Sequence, residues 1–150
     1  MSKTKPMIRK NKPSDVEFAR IGLRILAWII DIVFIYIIAW VLLFLSFWSI
    51  EIPFFIILNT LAYLIGLFYF CLLESINGQT LGKLLLGLKT VDEDTFEVSS
   101  FTENLKNCIL KCHWFPCIID LIIGIFKNSE DMKKKLRIMQ NFSNTCVIRT

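Results

Sequence analysis

The chain of 150 residues is poor in what keeps a soluble surface wet: 20% of its residues are charged, and it holds one histidine, four prolines and six glycines. So little charge beside 55% hydrophobic content excludes intrinsic disorder over most of the length. Cysteine numbers five, odd and sparse, which excludes a disulfide-stapled secreted module. The single His113 has no Ser, Cys or carboxylate partner at a recognisable spacing, so the expectation is a non-catalytic protein with no cofactor. What is abundant is apolar bulk, with thirteen Phe, four Trp and a mean hydropathy of +0.58. A domain this small buries only about 70% of its surface, so the surplus needs lipid.

The apolar residues fall in runs of spanning length, about 20 helical residues for a hydrocarbon core ~30 Å thick. From Ile25 to Trp48 the only charge is Asp31, and from Pro53 to Leu73 there is none. This predicts transmembrane helices over about 23–48 and 53–73, joined in a tight hairpin by Ser49 to Ile52. A secretory signal peptide fits poorly, since the first run exceeds ~15 residues and no Ala-x-Ala-like site follows it. Residues 1–13 read as a disordered basic tail ahead of a membrane domain over 14–150. Ser14 to Glu17 reads as a capping box, placing a helix start near Asp15 that continues through Arg20 and Arg24. Seven Lys or Arg precede the first span and none lies in the link, so a multi-pass protein of the cell membrane with a cytoplasmic N-terminus is expected.

A third apolar segment, 105–126, is interrupted by Lys106, Asn107, Lys111, His113 and Asp120 and divided by Pro116. If it crossed, the basic tail from Lys127 to Arg149 would lie outside, so a broken or re-entrant helical segment is expected, with both ends cytoplasmic. Leu88 to Ser99 reads as two short β runs around an acidic turn, and Thr145 to Arg149 is also β-prone. The expected fold is an all-α membrane protein with a small cytoplasmic β element.

Phe18-Ala19, Arg24, Ala27 and Ile30-Asp31, followed after the second span by Gly78-Gln79-Thr80-Leu81-Gly82-Lys83, Gly87-Leu88-Lys89 and Val91-Asp92, form a recognisable set. The chain resembles the RDD family of small membrane proteins from about Phe18 to Ile148. The resemblance implies a multi-spanning protein and, for some members, transport including cation/proton exchange. It departs at the C-terminal end, where Gln140 stands in the place of the family's second aspartate.

Arg24 and Asp31 share a helix face about 10.5 Å apart along the axis. An ionised Asp mid-span costs ~2.5–3.5 kcal/mol on insertion scales, so Asp31 must face protein or water, pair, or take up a proton. Tyr63 to Tyr69 should lie near its depth, with Glu74 level with Arg24. Asp31 is then either a packing residue bonded to a Tyr or a backbone group, or a proton- or cation-binding carboxylate. Arg24 would pair with Glu74 or lipid phosphate, and Asp120 is a candidate second carboxylate or a helix-end residue. Asn59 should make an interhelical hydrogen bond.

Gly78, Thr80, Gly82 and Lys83 lack the Ser or Thr after Lys and the preceding strand that a phosphate loop needs, and read as a tight turn with Lys83 at the headgroups. Cys108, Cys112, His113 and Cys117 do not fit structural-zinc spacing; the three cysteines read as buried thiols, as do Cys71 and Cys146, and no metal is expected. The run Lys133 to Arg137 and the basic tail suit anionic lipid headgroups rather than nucleic acid. Two functions follow: a cation/proton transporter or transport subunit using Asp31, with Arg24, Glu74 and Asp120 as further candidates, or an accessory subunit recruiting a partner through its cytoplasmic loop and tail. Two or three helices enclose no path alone, so a homo-oligomer or a partner membrane protein is expected.

Overall fold

The computed structural model describes residues 16–46, 54–130 and 134–150. The basic tail 1–13, Ser14 and Asp15 of the expected capping box, and the link Ser49 to Ile52 lie outside them. The elements run α1 (Ile21–Ser46), α2 (Phe54–Ile76), α3 (Leu81–Leu85), β1 (Leu88–Asp92), α4 (Phe101–Cys108), α5 (Trp114–Lys127), α6 (Ile138–Ser143) and β2 (Thr145–Arg149).

Two of these helices, Ile21–Leu45 and Phe54–Ile76, are long and apolar enough to cross a membrane. Each buries one stripe and turns the rest outward. On α1 the buried positions are Arg24, Ala27, Asp31, Ile35, Ala39 and Leu43, close to every fourth residue. The α2 stripe is Ala62, Gly66, Phe70 and Glu74. Small residues on both stripes let the backbones approach where lipid provides no hydrophobic drive. The outward faces carry Ile37, Trp40, Phe44, Phe55 and Phe68, all more than half exposed. The helices are antiparallel, for Tyr69 meets Asp31 at one end of the pair, and Tyr36 donates to Asn59 Oδ1 at 2.8 Å towards the other. The second contact is the interhelical bond expected of Asn59.

The first helix begins at Ile21, not near Asp15. Val16 to Arg20 is extended instead: Ala19 N–H donates to Val147 O at 3.0 Å, and Glu17 O accepts from Arg149 N–H at 2.8 Å. Pairing with β2 satisfies these backbone groups and packs Val16 and Phe18 against buried Val91, Cys146 and Ile148, which a helix over the same residues could not do. The sheet itself has two antiparallel strands, from Leu88↔Arg149 to Asp92↔Thr145. The second β run expected before Ser99 is reduced to a single bridge, Val91↔Val98.

The third apolar segment breaks earlier than Pro116. Turns fill Ile109 to His113, between α4 and α5. Pro116 is the third residue of α5, where a missing N–H leaves no hydrogen bond unmade. The His113 side chain accepts from Phe115 N–H and marks the new helix start. The segment runs down α2 and back: Asn104 contacts Ser75, Tyr63 OH donates to Ile109 O, and His113 Nε2 lies 3.0 Å from Asn59 Oδ1. Helix α5 then returns, so that Asp120 meets Arg137. Residues 16–20 and β2 therefore lie together, at the end of the helix pair where α1 starts and α2 finishes.

Candidate functional site

The sequence's exceptional polar residues gather at that end, in three connected groups. The first is built on Asp31, which is fully buried. Its Oδ1 accepts from Tyr69 OH at 2.7 Å and from Gly82 N–H at 2.8 Å, and its Oδ2 accepts from Thr80 OH at 2.5 Å. All three donors come from outside α1. The carboxylate thus holds the start of α3, whose first amides each find an acceptor: Leu81 N–H at Tyr69 OH, Gly82 N–H at Asp31, Lys83 N–H at Thr80 Oγ1 and Leu84 N–H at Thr80 O. A negative charge there also complements the helix dipole.

Two glycines make this geometry possible. Gly78, with φ of +71°, turns the chain after α2, and a Cβ there would meet Thr90 O at 2.6 Å. A Cβ on Gly82 would lie 2.2 Å from Ala27 O, so only glycine brings α3 this close to α1. The motif residues and Asp31, 51 positions apart, are one structural unit.

The second group is centred on Glu74, also fully buried. It pairs with Lys83 at 2.6 Å and with Lys111, and accepts from Asn107 Nδ2 at 3.3 Å. Lys83 also reaches Thr90 Oγ1, and Lys111 sits over the Phe70 ring, 3.9 Å from its centroid. The expectations of an Arg24–Glu74 pair and of Lys83 at the headgroups are therefore overturned. Lys83 on the returning α3 and Lys111 in the α4–α5 turn reach Glu74 from two sides, and Lys83 is buried.

Arg24 belongs to the third group. It does not extend to the surface but is buried, donating from Nη2 to Gln140 Oε1 at 2.9 Å. The same oxygen accepts from the backbone N–H groups of Leu136 and Arg137. Asp120, fully buried, accepts from Arg137 Nη1 at 3.2 Å and from Met139 N–H at 2.9 Å, which fixes the start of α6 to α5. Arg137 further contacts the side chain and carbonyl of Asn107.

Of the run Lys133 to Arg137, Lys133 lies outside the described residues, and the stretch from Lys134 to Arg137 is not uniformly lipid-facing. Arg137 turns inward, while Lys134 and Lys135 pair with Glu93, which follows β1. Burial opposes the charged form of Glu93, but hydrogen bonds and charge from the two lysines outweigh it and hold the carboxyl below its usual range. Cys71, Cys108, Cys112, Cys117 and Cys146 are all free and buried.

Lys111, Asn107 and Arg137 were not among the candidates read from the sequence. Lys111 and Asn107 were visible there as polar interruptions of the third segment, and a polar residue inside an apolar run needs a partner. Arg137 gave no such signal, standing in a run of surface lysines.

The sequence profile of the RDD family matches residues 18–136, most of the chain, and the chain belongs to that family. The match takes in Arg24, Asp31, Glu74 and the Gly78–Lys83 turn and ends before Gln140. No curated protein and no solved structure matches the chain.

Proposed function

We propose that this member of the RDD family is a non-catalytic, multi-pass membrane subunit that stabilises or recruits a partner, with its N-terminus, its small sheet and its C-terminus in the cytoplasm. Lipid contact follows from the two apolar helices. The basic N-terminal stretch favours the cytoplasmic orientation, and α4 packs on α2 before the turn sends α5 back towards α6, an arrangement that supports a re-entrant segment with both ends on one side.

The observation that carries the accessory reading is the state of Asp31. Both carboxylate oxygens are engaged, by a phenol, a hydroxyl and an amide, and together they clamp α3 onto α1. A carboxylate that cycles a proton or cation would have to release these three donors at each turnover and leave the start of α3 without its acceptors. The same holds for Glu74, held by the buried Lys83 and Lys111, and for Asp120, held by Arg137.

Cation/proton exchange through Asp31 is the second reading, favoured by one observation: a fully buried acid in a spanning helix. An oligomer or a partner subunit would then complete the path. Reconstituted protein in vesicles with a pH-sensitive dye separates the two. The accessory reading expects no cation-driven proton movement from the wild type; movement that disappears in Asp31→Asn overturns it.

A further inference from the structure

The one histidine of the chain, His113, stands where the α4–α5 turn enters α5, half-buried, with both ring nitrogens engaged. Its Nε2 lies 3.0 Å from Asn59 Oδ1, and its Nδ1 accepts from Phe115 N–H at 3.3 Å. The partners fix which nitrogen carries the proton. Phe55 O can only accept, so Asn59 Nδ2, which reaches it at 2.7 Å, is the donor side of the amide and Oδ1 is the acceptor. That oxygen takes Tyr36 OH at 2.8 Å and Nε2–H of His113 as its two donors. A neutral ring protonated on Nε2 keeps a lone pair on Nδ1, which Phe115 N–H requires.

His113 is the N-cap of α5. An N-cap side chain serves the second or third amide of its helix. Here the third residue is Pro116, which has no N–H, so Phe115 is the one amide left for the imidazole to cap. A second proton on the ring places a hydrogen on Nδ1, facing Phe115 N–H, and sets a positive charge at the positive end of the α5 dipole. Nε2 remains a donor, so the bond to Asn59 survives. One edge of the ring stays docked on α2 while the other loses α5.

The other titratable groups around the ring are phenols and thiols: Tyr36 of α1, sharing Asn59; Tyr63 of α2, donating to Ile109 O in the same turn; and Cys108, Cys112 and Cys117 on α4, the turn and α5. The charges of the turn and α5 are committed elsewhere, Lys111 to Glu74 and Asp120 to Arg137, and Lys127 is at the far end of α5. Imidazole is the group that ordinarily changes charge between pH 5 and 8. Beside it opens a cavity of about 400 Å³, walled by Phe55 and Ile56 on α2 and by Trp114 and Phe115 on the first turn of α5. The Trp114 ring stacks against the imidazole, 5.7 Å between centroids. Movement of that turn therefore moves one wall of the cavity.

We propose that His113 is a pH-sensitive latch: neutral, it caps α5 and ties it to α2; protonated, it keeps Asn59 and releases the first turn of α5, shifting the Trp114–Phe115 wall of the cavity. The latch rests on hydrogen bonds within the fold, so it stands independently of the orientation and of the accessory role proposed above.

The test uses the full chain in neutral detergent, purified without a histidine tag so that one imidazole is present, and labelled with ¹⁵N-histidine. At pH 8 the ring nitrogen shifts should report a neutral ring with its proton on Nε2; a proton on Nδ1 overturns the proposal. Between pH 8 and 5, amide hydrogen exchange corrected for its intrinsic rate should show protection at Phe115 falling about fivefold or more, the worth of a lost N-cap. The fall should share its midpoint with the imidazole titration, while protection in the middle of α2 is unchanged. His113→Asn, whose amide oxygen caps without titrating, should keep its protection across the range. A ring that stays neutral throughout, protection unchanged on protonation, or an equal fall in folded His113→Asn overturns the latch. Should that variant not fold, the two wild-type midpoints decide: coincidence supports the latch, and separation by more than about one pH unit overturns it.

Discussion

A β-carbon at position 82 would lie 2.2 Å from the carbonyl oxygen of Ala27, and in its absence the Gly82 amide reaches Asp31 at 2.8 Å. The close approach and the hydrogen bond are one arrangement. Glycine opens the space that lets a membrane-helix carboxylate cap a helix from a different part of the chain, and the exposed apolar side chains of that helix, Leu84 and Leu85, lie on the outside.

Gly82→Ala should therefore displace α3 and destabilise the chain by about 2–3 kcal/mol, since the obstacle is backbone and cannot rotate away. Gly22→Ala is the control. Nothing lies within 4 Å of a Cβ at that site, so the substitution should be neutral or stabilise by up to about 1 kcal/mol. Thermal unfolding of the two variants in detergent, compared with the wild type, reads the difference.

Asp31→Asn should lower stability by about 1.5–3 kcal/mol, the range for hydrogen bonds to a charged group. Because Thr80 OH donates directly to Asp31 Oδ2, Thr80→Val and Asp31→Asn should be non-additive by more than about 0.5 kcal/mol. A double-mutant cycle on unfolding midpoints measures this, and strict additivity would break the clamp argument.

Removing the shared anion should cost more than removing either cation. Glu74→Gln leaves two buried ammonium groups, Lys83 and Lys111, without their carboxylate, for a loss of about 3–5 kcal/mol. Lys83→Met leaves Glu74 with Lys111 and should lose less. Comparison of folded yield and unfolding midpoint for the two variants is the check, and the reverse order would count against Glu74 as the centre of the network.

The Glu93 pair with Lys134 and Lys135 has a defined pH signature. Its folded-state pKa is depressed below the unfolded value of about 4.3, so its stabilisation is present above that pH and is lost as pH falls through the lower folded value. The pair is partly exposed, so the effect should stay within about 1 kcal/mol. The gap in unfolding midpoint between wild type and Glu93→Gln should be open at pH 6 and above, about two pH steps clear of the transition, and close in acid.

All five cysteines are buried, and burial pushes the Cys146 thiol up to about 11. Thiolate is the reactive form, so alkylation at neutral pH should be negligible in the native chain and complete once it unfolds. Mass spectrometry after iodoacetamide, with and without denaturant, reads the count.

Much of the site was legible in the sequence as membership but not as pairing. Asp31 was marked by its position in an apolar run, and Tyr69 was within the stretch expected at its depth. The turn Gly78 to Lys83 was marked by its glycines. That the two features bind each other was not visible, because nothing local links residues 51 apart. Arg24 and Glu74 stand at matching depths, and the expectation for Arg24 is a pair with Glu74 or with lipid phosphate, yet depth fixes one coordinate only. The face of the helix on which a partner arrives depends on how α3, the α4–α5 turn and the chain before α6 fold back.

The sequence by itself determined that two helices are apolar enough to cross a membrane, because that property sums over about 20 consecutive residues and needs no knowledge of neighbours. Tertiary structure alone decided where the third segment breaks, why the first helix starts at Ile21, and which partner each buried charge takes. Those outcomes depend on competition between distant groups. Strand β2 took Val16 to Arg20 from the helix, two lysines took Glu74 from Arg24, and a neutral glutamine received the guanidinium.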